Sequence, residues 1–136
     1  MKNVNKYLGY AVLFFIVFWI GRGIYKNNQF KGDYKITTGR VNGITSPGWK
    51  GYGDYSLLYD YTVNGIRYTS NHNYKLCNGL SKDKVGSLVI NKSFPIAYSV
   101  KDITQSVMII TQEDATMFNY VIPDSLLSYD SLLTCK

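Results

Sequence analysis

The apolar positions follow two different rules along this chain. From Tyr7 to Gly21 no side chain is charged, and Val12-Leu-Phe-Phe-Ile-Val-Phe-Trp-Ile20 is apolar throughout. A helix built from such a run has no polar face and needs burial on all sides. Beyond residue 33 the pattern becomes alternation. Tyr59-Asp-Tyr-Thr-Val-Asn-Gly-Ile-Arg-Tyr-Thr-Ser70 places large apolar and polar residues in turn on both sides of Asn64-Gly65. Asn-Gly supplies the two positive-φ positions of a type I′ turn, so a two-residue hairpin is predicted. Its register sets Val63 opposite Ile66, Tyr61 opposite Tyr68 and Tyr59 opposite Ser70 on an apolar face. Thr62 then meets Arg67, and Asp60 meets Thr69, on a polar one.

Further strands are predicted at Tyr34–Ile44, with a bulge near Gly43, and at Ser56–Val63, Ile66–Asn71, Phe94–Val100 and Ser106–Thr111. A weaker one is predicted at Leu88–Ile90. Thr45–Asp54, with three Gly and a Pro, reads as a long loop. Thr111-Gln-Glu-Asp114 has the spacing of a helix-start box, and a short helix over Gln112–Tyr120 follows from it. Pro123-Asp-Ser-Leu-Leu-Ser opens a further helical turn. The fold class expected is mainly β. It comprises an N-terminal single transmembrane helix, then a small antiparallel β-barrel or rolled sheet with one short helix. The domain limits are 1–25 for the anchor, 26–33 for a linker and 34–136 for the β domain.

A spanning helix needs about 20 residues. The uncharged run reaches that length if Arg22 snorkels and Gly23-Ile24-Tyr25 complete the last turn, so membrane lipid is the expected partner of residues 7–25. Tyr7, Tyr10, Trp19 and Tyr25 lie near its two ends, where amphipathic rings favour the interface. Two other readings stay open: a cleaved signal peptide and a buried core helix. Gly21-Arg22-Gly23 is a poor cleavage site, because Arg stands where a small or neutral residue is usual. Lys2 and Lys6 hold the amino terminus inside, while Arg22, Lys26, Lys31 and Lys35 pull the other way. The charge rule is therefore near balance, and likeness to an ordinary signal sequence places the domain outside. The expected location is a bacterial inner membrane, single-pass, with a periplasmic or extracellular domain.

Composition sharpens this picture in one respect. The net charge of +6 is spread evenly: residues 1–25 carry +3, and the rest carry twelve Lys/Arg against nine Asp/Glu. Scattered charge cannot track a phosphate backbone, which argues against nucleic-acid binding.

Candidate chemistry is sparse. His72, the only histidine, sits in Ser-Asn-His-Asn-Tyr and reads as a solvated loop residue. One His and two distant Cys give no zinc spacing. Gly48-Trp-Lys-Gly51-Tyr-Gly53 lacks the Gly-Lys-Ser/Thr ending of a phosphate loop, and no Gly-x-Ser-x-Gly elbow occurs. Glu113 and Asp114 point about 100° apart on a helix, which disfavours shared acid–base work. No catalytic, cofactor or metal residues are assigned, and the chain reads as a non-enzyme. Trp49, Tyr52 and Tyr55 are the candidate partner-contact residues, as aromatics on or beside a Gly-rich loop. Cys77 and Cys135 could pair in an oxidising compartment, a bond worth roughly 4 kcal/mol by loop entropy, and would be plain thiols in a reducing one.

Gly39-Arg-Val41, Tyr59-Asp-Tyr-Thr-Val-Asn-Gly65 with Tyr68, Gly86, Phe94-Pro-Ile-Ala-Tyr98 and Ser106-Val-Met-Ile-Ile110 occur in an order that resembles a family of small bacterial membrane-attached proteins of unknown function. Pro123-Asp-Ser-Leu-Leu127 resembles endings found in Bacteroidetes-type versions. The likeness covers residues 34–127. It implies a compact β domain beside one or two membrane helices, and it brings no activity and no catalytic residues. The chain departs from that pattern in having a single apolar segment, and Asp-Ile-Thr-Gln at 102–105 where an Asn-Pro is common. The function expected is binding of another envelope protein, as an accessory subunit or protective inhibitor. The alternatives are a cytoplasm-facing domain of a membrane complex and a secreted protein or enzyme released by signal cleavage.

Overall fold

The computed structural model describes residues 9–21, 33–46, 54–77 and 79–135, in two units, Met1–Asp33 and Tyr34–Lys136. In the first unit, residues 9–21 form a helix, α1, all of whose side chains are exposed, among them Phe14, Phe15 and Trp19. Thirteen residues at 1.5 Å each give a length of roughly 20 Å, short of a bilayer core of roughly 30 Å. Among the described residues no helix is long and apolar enough to cross a membrane. The ends of the expected 7–25 span lie outside the described residues.

The second unit is mainly β. Five strands, β1 (Tyr34–Thr45), β2 (Asp54–Val63), β3 (Ile66–Lys75), β4 (Ser93–Ser99) and β5 (Ser106–Met108), form one sheet in the order β3-β2-β1-β4-β5. Every pairing is antiparallel, and the sheet curls until it is nearly a closed barrel. The hairpin has the predicted register, from Val63↔Ile66 through Asp60↔Thr69, with Asn64 at φ 52° and Gly65 at φ 79°. The bulge near Gly43 is present: Val41 pairs with Tyr59 and Gly43 with Leu58, leaving Asn42 extra.

Period-two burial sets the interior. Tyr55, Leu57, Tyr59, Tyr61 and Val63 all point inward from β2, to be met by Val41, Phe94, Ile96 and Met108. Gly39 stands between Tyr61 and Phe94 in this layer because nothing larger fits there. A Cβ at that position would lie 2.5 Å from Ile96 Cγ1 and 2.9 Å from the Asp60 carbonyl oxygen. Gly39→Ala is therefore expected to cost about 1–3 kcal/mol through overpacking, read from the urea unfolding midpoint.

Among the described residues three helices accompany the sheet, where one short helix is predicted. The segment Leu88–Ile90 is not a strand; it falls at the end of α2 (Lys82–Val89). Ser81 caps that helix by accepting from the Lys84 N–H. Val85 and Val89, four residues apart, are buried together, and Gly86 lets the helix approach Ile44 closely. The helix α3 (Gln112–Met117) starts with the predicted box, closed reciprocally by Thr111 and Asp114. The last helix, α4 (Asp124–Leu133), is a full ten residues, and it sets Tyr129 edge-on against Phe94.

The free edges of β3 and β5 face one another across the gap in the barrel, and side chains close it. The Tyr74 hydroxyl reaches Met108 O at 3.3 Å and Asp114 Oδ2 at 3.2 Å, sharing its one proton between them. Cys77, two residues past β3, is bonded to Cys135, two residues past α4, with Cα atoms 5.2 Å apart. The C-terminal segment is thereby fastened to the far end of the hairpin.

Candidate functional site

The predicted contact residues do not come together. Trp49 and Tyr52 lie outside the described residues. Tyr55, expected on an exposed surface, is fully buried, because β2 begins at Asp54 and Tyr55 falls on the inward register shared with Leu57 and Tyr59. Its ring stacks on Tyr74. Its hydroxyl is a buried polar group without a hydrogen-bond partner among the described residues, and burial pushes its pKa up to about 12. Removing that hydroxyl removes an uncompensated desolvation cost. Tyr55→Phe is expected to leave the thermal midpoint unchanged or raise it by a few degrees.

His72 also departs from expectation. It is in β3, opposite Leu57, and faces inward rather than into a solvated loop. Its Nε2 lies 3.4 Å from Asp114 Oδ1, and its ring stands edge-on to Tyr74. The other carboxylate oxygen accepts from Thr111 Oγ1 at 2.8 Å, Thr111 N at 3.0 Å and Ile110 N at 3.3 Å. Burial alone would raise the Asp114 pKa. The hydrogen bond and charge of His72, with the Thr111 donors, outweigh it and hold the carboxyl below its ordinary range. The same carboxylate, together with burial, drives the Tyr74 phenol well above its ordinary range, burial being the larger cause. A His–Asp pair of this kind can orient a proton acceptor. Here it is used to bind α3 across the barrel gap: among the described residues, the donors around Asp114 come from β3 and from Ile110 and Thr111 just before α3.

The polar outer face of the hairpin holds a second cluster, and it is the open one. Register places Thr69, Asp60, Arg40 and Ser93 in one row across four strands. Asp60 is the hub. It accepts from Thr69 Oγ1 and Asn42 Nδ2, each at 2.7 Å, and pairs with the Arg67 guanidinium. These partners, with Thr69 foremost, hold the Asp60 carboxyl below its ordinary range. The bulge supplies Asn42. The turn after α2 supplies Asn91, at φ 66°, a left-handed conformation that asparagine tolerates better than most residues. Asn91 Oδ1 accepts from Arg40 at 3.2 Å. The result is an open polar depression of about 510 Å³. Sequence alternation predicts the Asp60–Arg67 diagonal and the polar face. It does not predict Arg40, Asn91 and Ser93, which belong to strands and turns brought in by long-range pairing.

Among the described residues no group of three or more His, Cys, Asp or Glu could hold a metal ion. Comparison with protein-family models, with characterised proteins and with solved structures finds no match to this chain.

Proposed function

We propose that the chain is a single-pass bacterial envelope protein, held in the inner membrane by residues 7–25, whose β domain faces the periplasm or the outside. The domain works by binding another envelope protein, as an accessory subunit or a protective inhibitor. The observation that carries the reading is the Cys77–Cys135 bond. Disulfides persist in oxidising compartments and are rare in the reducing cytosol, so the bond favours an outside-facing domain over a cytoplasm-facing one. The uninterrupted apolar surface of residues 10–20 supports the tether, since lipid is the environment that such a helix suits. The resemblance to small membrane-attached β-domain proteins agrees with both parts. A rigid barrel with a polar, prearranged outer face suits recognition more than turnover.

Labelling in intact spheroplasts tests the orientation. After mild reduction, an impermeant thiol reagent should modify Cys77 and Cys135; labelling only after lysis would support the cytoplasmic alternative. Carbonate extraction and the intact mass of the native protein test the tether. Extraction into the soluble fraction, or loss of about 23 residues, would favour release by signal cleavage.

A further inference from the structure

From the outer-face depression we infer a binding site for a small carboxylated, hydroxyl-rich ligand of the uronic-acid type, with Arg40 as the carboxylate anchor. The charges in the depression are unequally committed. Asp60 is met by Arg67, Asn42 and Thr69, so its charge is balanced inside the cluster. Arg40 is exposed, and among the described residues no carboxylate pairs with it; its hydrogen-bond partner there is the neutral Asn91 amide oxygen. A guanidinium carries five N–H donors in a planar fork suited to a carboxylate, and one contact to an amide leaves most of them for a ligand. The site is thus short of one negative charge.

What surrounds Arg40 specifies the remainder of the ligand. Ser93 lies beside it in the register row, Thr38 lies two residues away on the same face of β1, and Asn42 and Asn91 flank it. Hydroxyl and amide groups that both donate and accept suit vicinal hydroxyls. The lining is more polar than apolar, which favours a polar ligand over a fatty one. The backbone under these groups is fixed by strand pairing on both sides of β1, so little ordering is needed on binding. This inference is independent of the tether and of the protein partner; either can fail without affecting it.

The test is a titration of the isotope-labelled full-length chain, in detergent micelles, with sodium glucuronate, glucose and inorganic phosphate in separate arms. The expected result is saturable movement of the amide signals of residues 38–42, 60 and 91–93 with glucuronate, at least tenfold weaker binding of glucose, and weaker binding of phosphate. Arg40→Gln should reduce glucuronate affinity tenfold or more while the unfolding midpoint stays the same, because the side chain is exposed. Asn91→Ala, as a second variant, should weaken binding by a smaller factor. Failure of glucuronate to saturate, movement confined to other residues, phosphate binding as tightly as glucuronate, or full affinity in Arg40→Gln would each overturn the inference.

Discussion

Replacing Asp114 with alanine is expected to destabilise the β domain by about 3–5 kcal/mol, because several buried donors lose a shared acceptor at about 1–3 kcal/mol each. Three effects combine. The Ile110 and Thr111 N–H groups lose their acceptor, the Tyr74 hydroxyl loses one of its two, and His72 Nε2 loses its carboxylate partner. The reciprocal box that starts α3 is lost with them. Urea unfolding should show the full loss, and the thermal midpoint should fall by roughly 12 °C or more. Asp114→Asn keeps an acceptor without the charge and should fall between wild type and alanine. A loss below about 1 kcal/mol in the alanine variant would mean that the gap between β3 and β5 is held by other contacts.

The same carboxylate predicts a pH dependence. Its folded-state pKa is depressed, so the stability it contributes is present above the unfolded value of about 3.9 and is lost as pH falls through the folded value. Wild-type stability should therefore decline on acidification below about pH 4, and the decline should be shallower in Asp114→Ala.

Loss of the disulfide is the second large effect. The Cys77→Ser/Cys135→Ser double variant is expected to be less stable by about 2–5 kcal/mol, because the bond closes a loop across a sequence separation of 58. Dithiothreitol should lower wild type to the level of the variant and leave the variant unchanged. The loss concentrates at the C-terminal end. Hydrogen exchange of α4 amides should accelerate more than that of β1 or β2, since Leu133 and Tyr129 pack where the bond holds them. Equal exchange in α4 with and without the bond would show that packing alone retains the helix.

Some elements were legible because a local rule decided them. Asn64-Gly65 admits one turn type and hence one register, and that register carried the inward and outward faces of β2 and β3 with it. The Thr111–Asp114 spacing marked α3 for the same reason. Other elements were decided by distant contacts. Lys82–Val89 contains a glycine and β-branched residues and reads locally as an indifferent helix. Burial of Val85 and Val89, and the close approach to Ile44 that Gly86 permits, override that propensity. The Val85/Val89 spacing was the available signal. β3 runs four residues past the predicted Ile66–Asn71, because His72-Asn-Tyr-Lys75 lacks apolar alternation, its inward positions being filled by a histidine and a tyrosine. Tyr55 had a signal too: it continues the period-two series of Leu57, Tyr59, Tyr61 and Val63. The outer-face depression was half visible. Asp60 and Arg67 belong to the hairpin, whereas Arg40 is set opposite Asp60 only through the β1–β2 pairing and meets Asn91 only through the return of the chain after α2.

The bond between Cys77 and Cys135 also orders events in time. Cys135 is made 58 residues after Cys77, so a newly made copy has its hairpin complete while α4 is held only by packing until the bond forms. Such copies should be cut readily by proteases in and around α4. Oxidation, rather than chain folding alone, then sets the moment at which a molecule becomes durable, and a cell short of oxidising power would accumulate clipped forms of otherwise correctly paired strands.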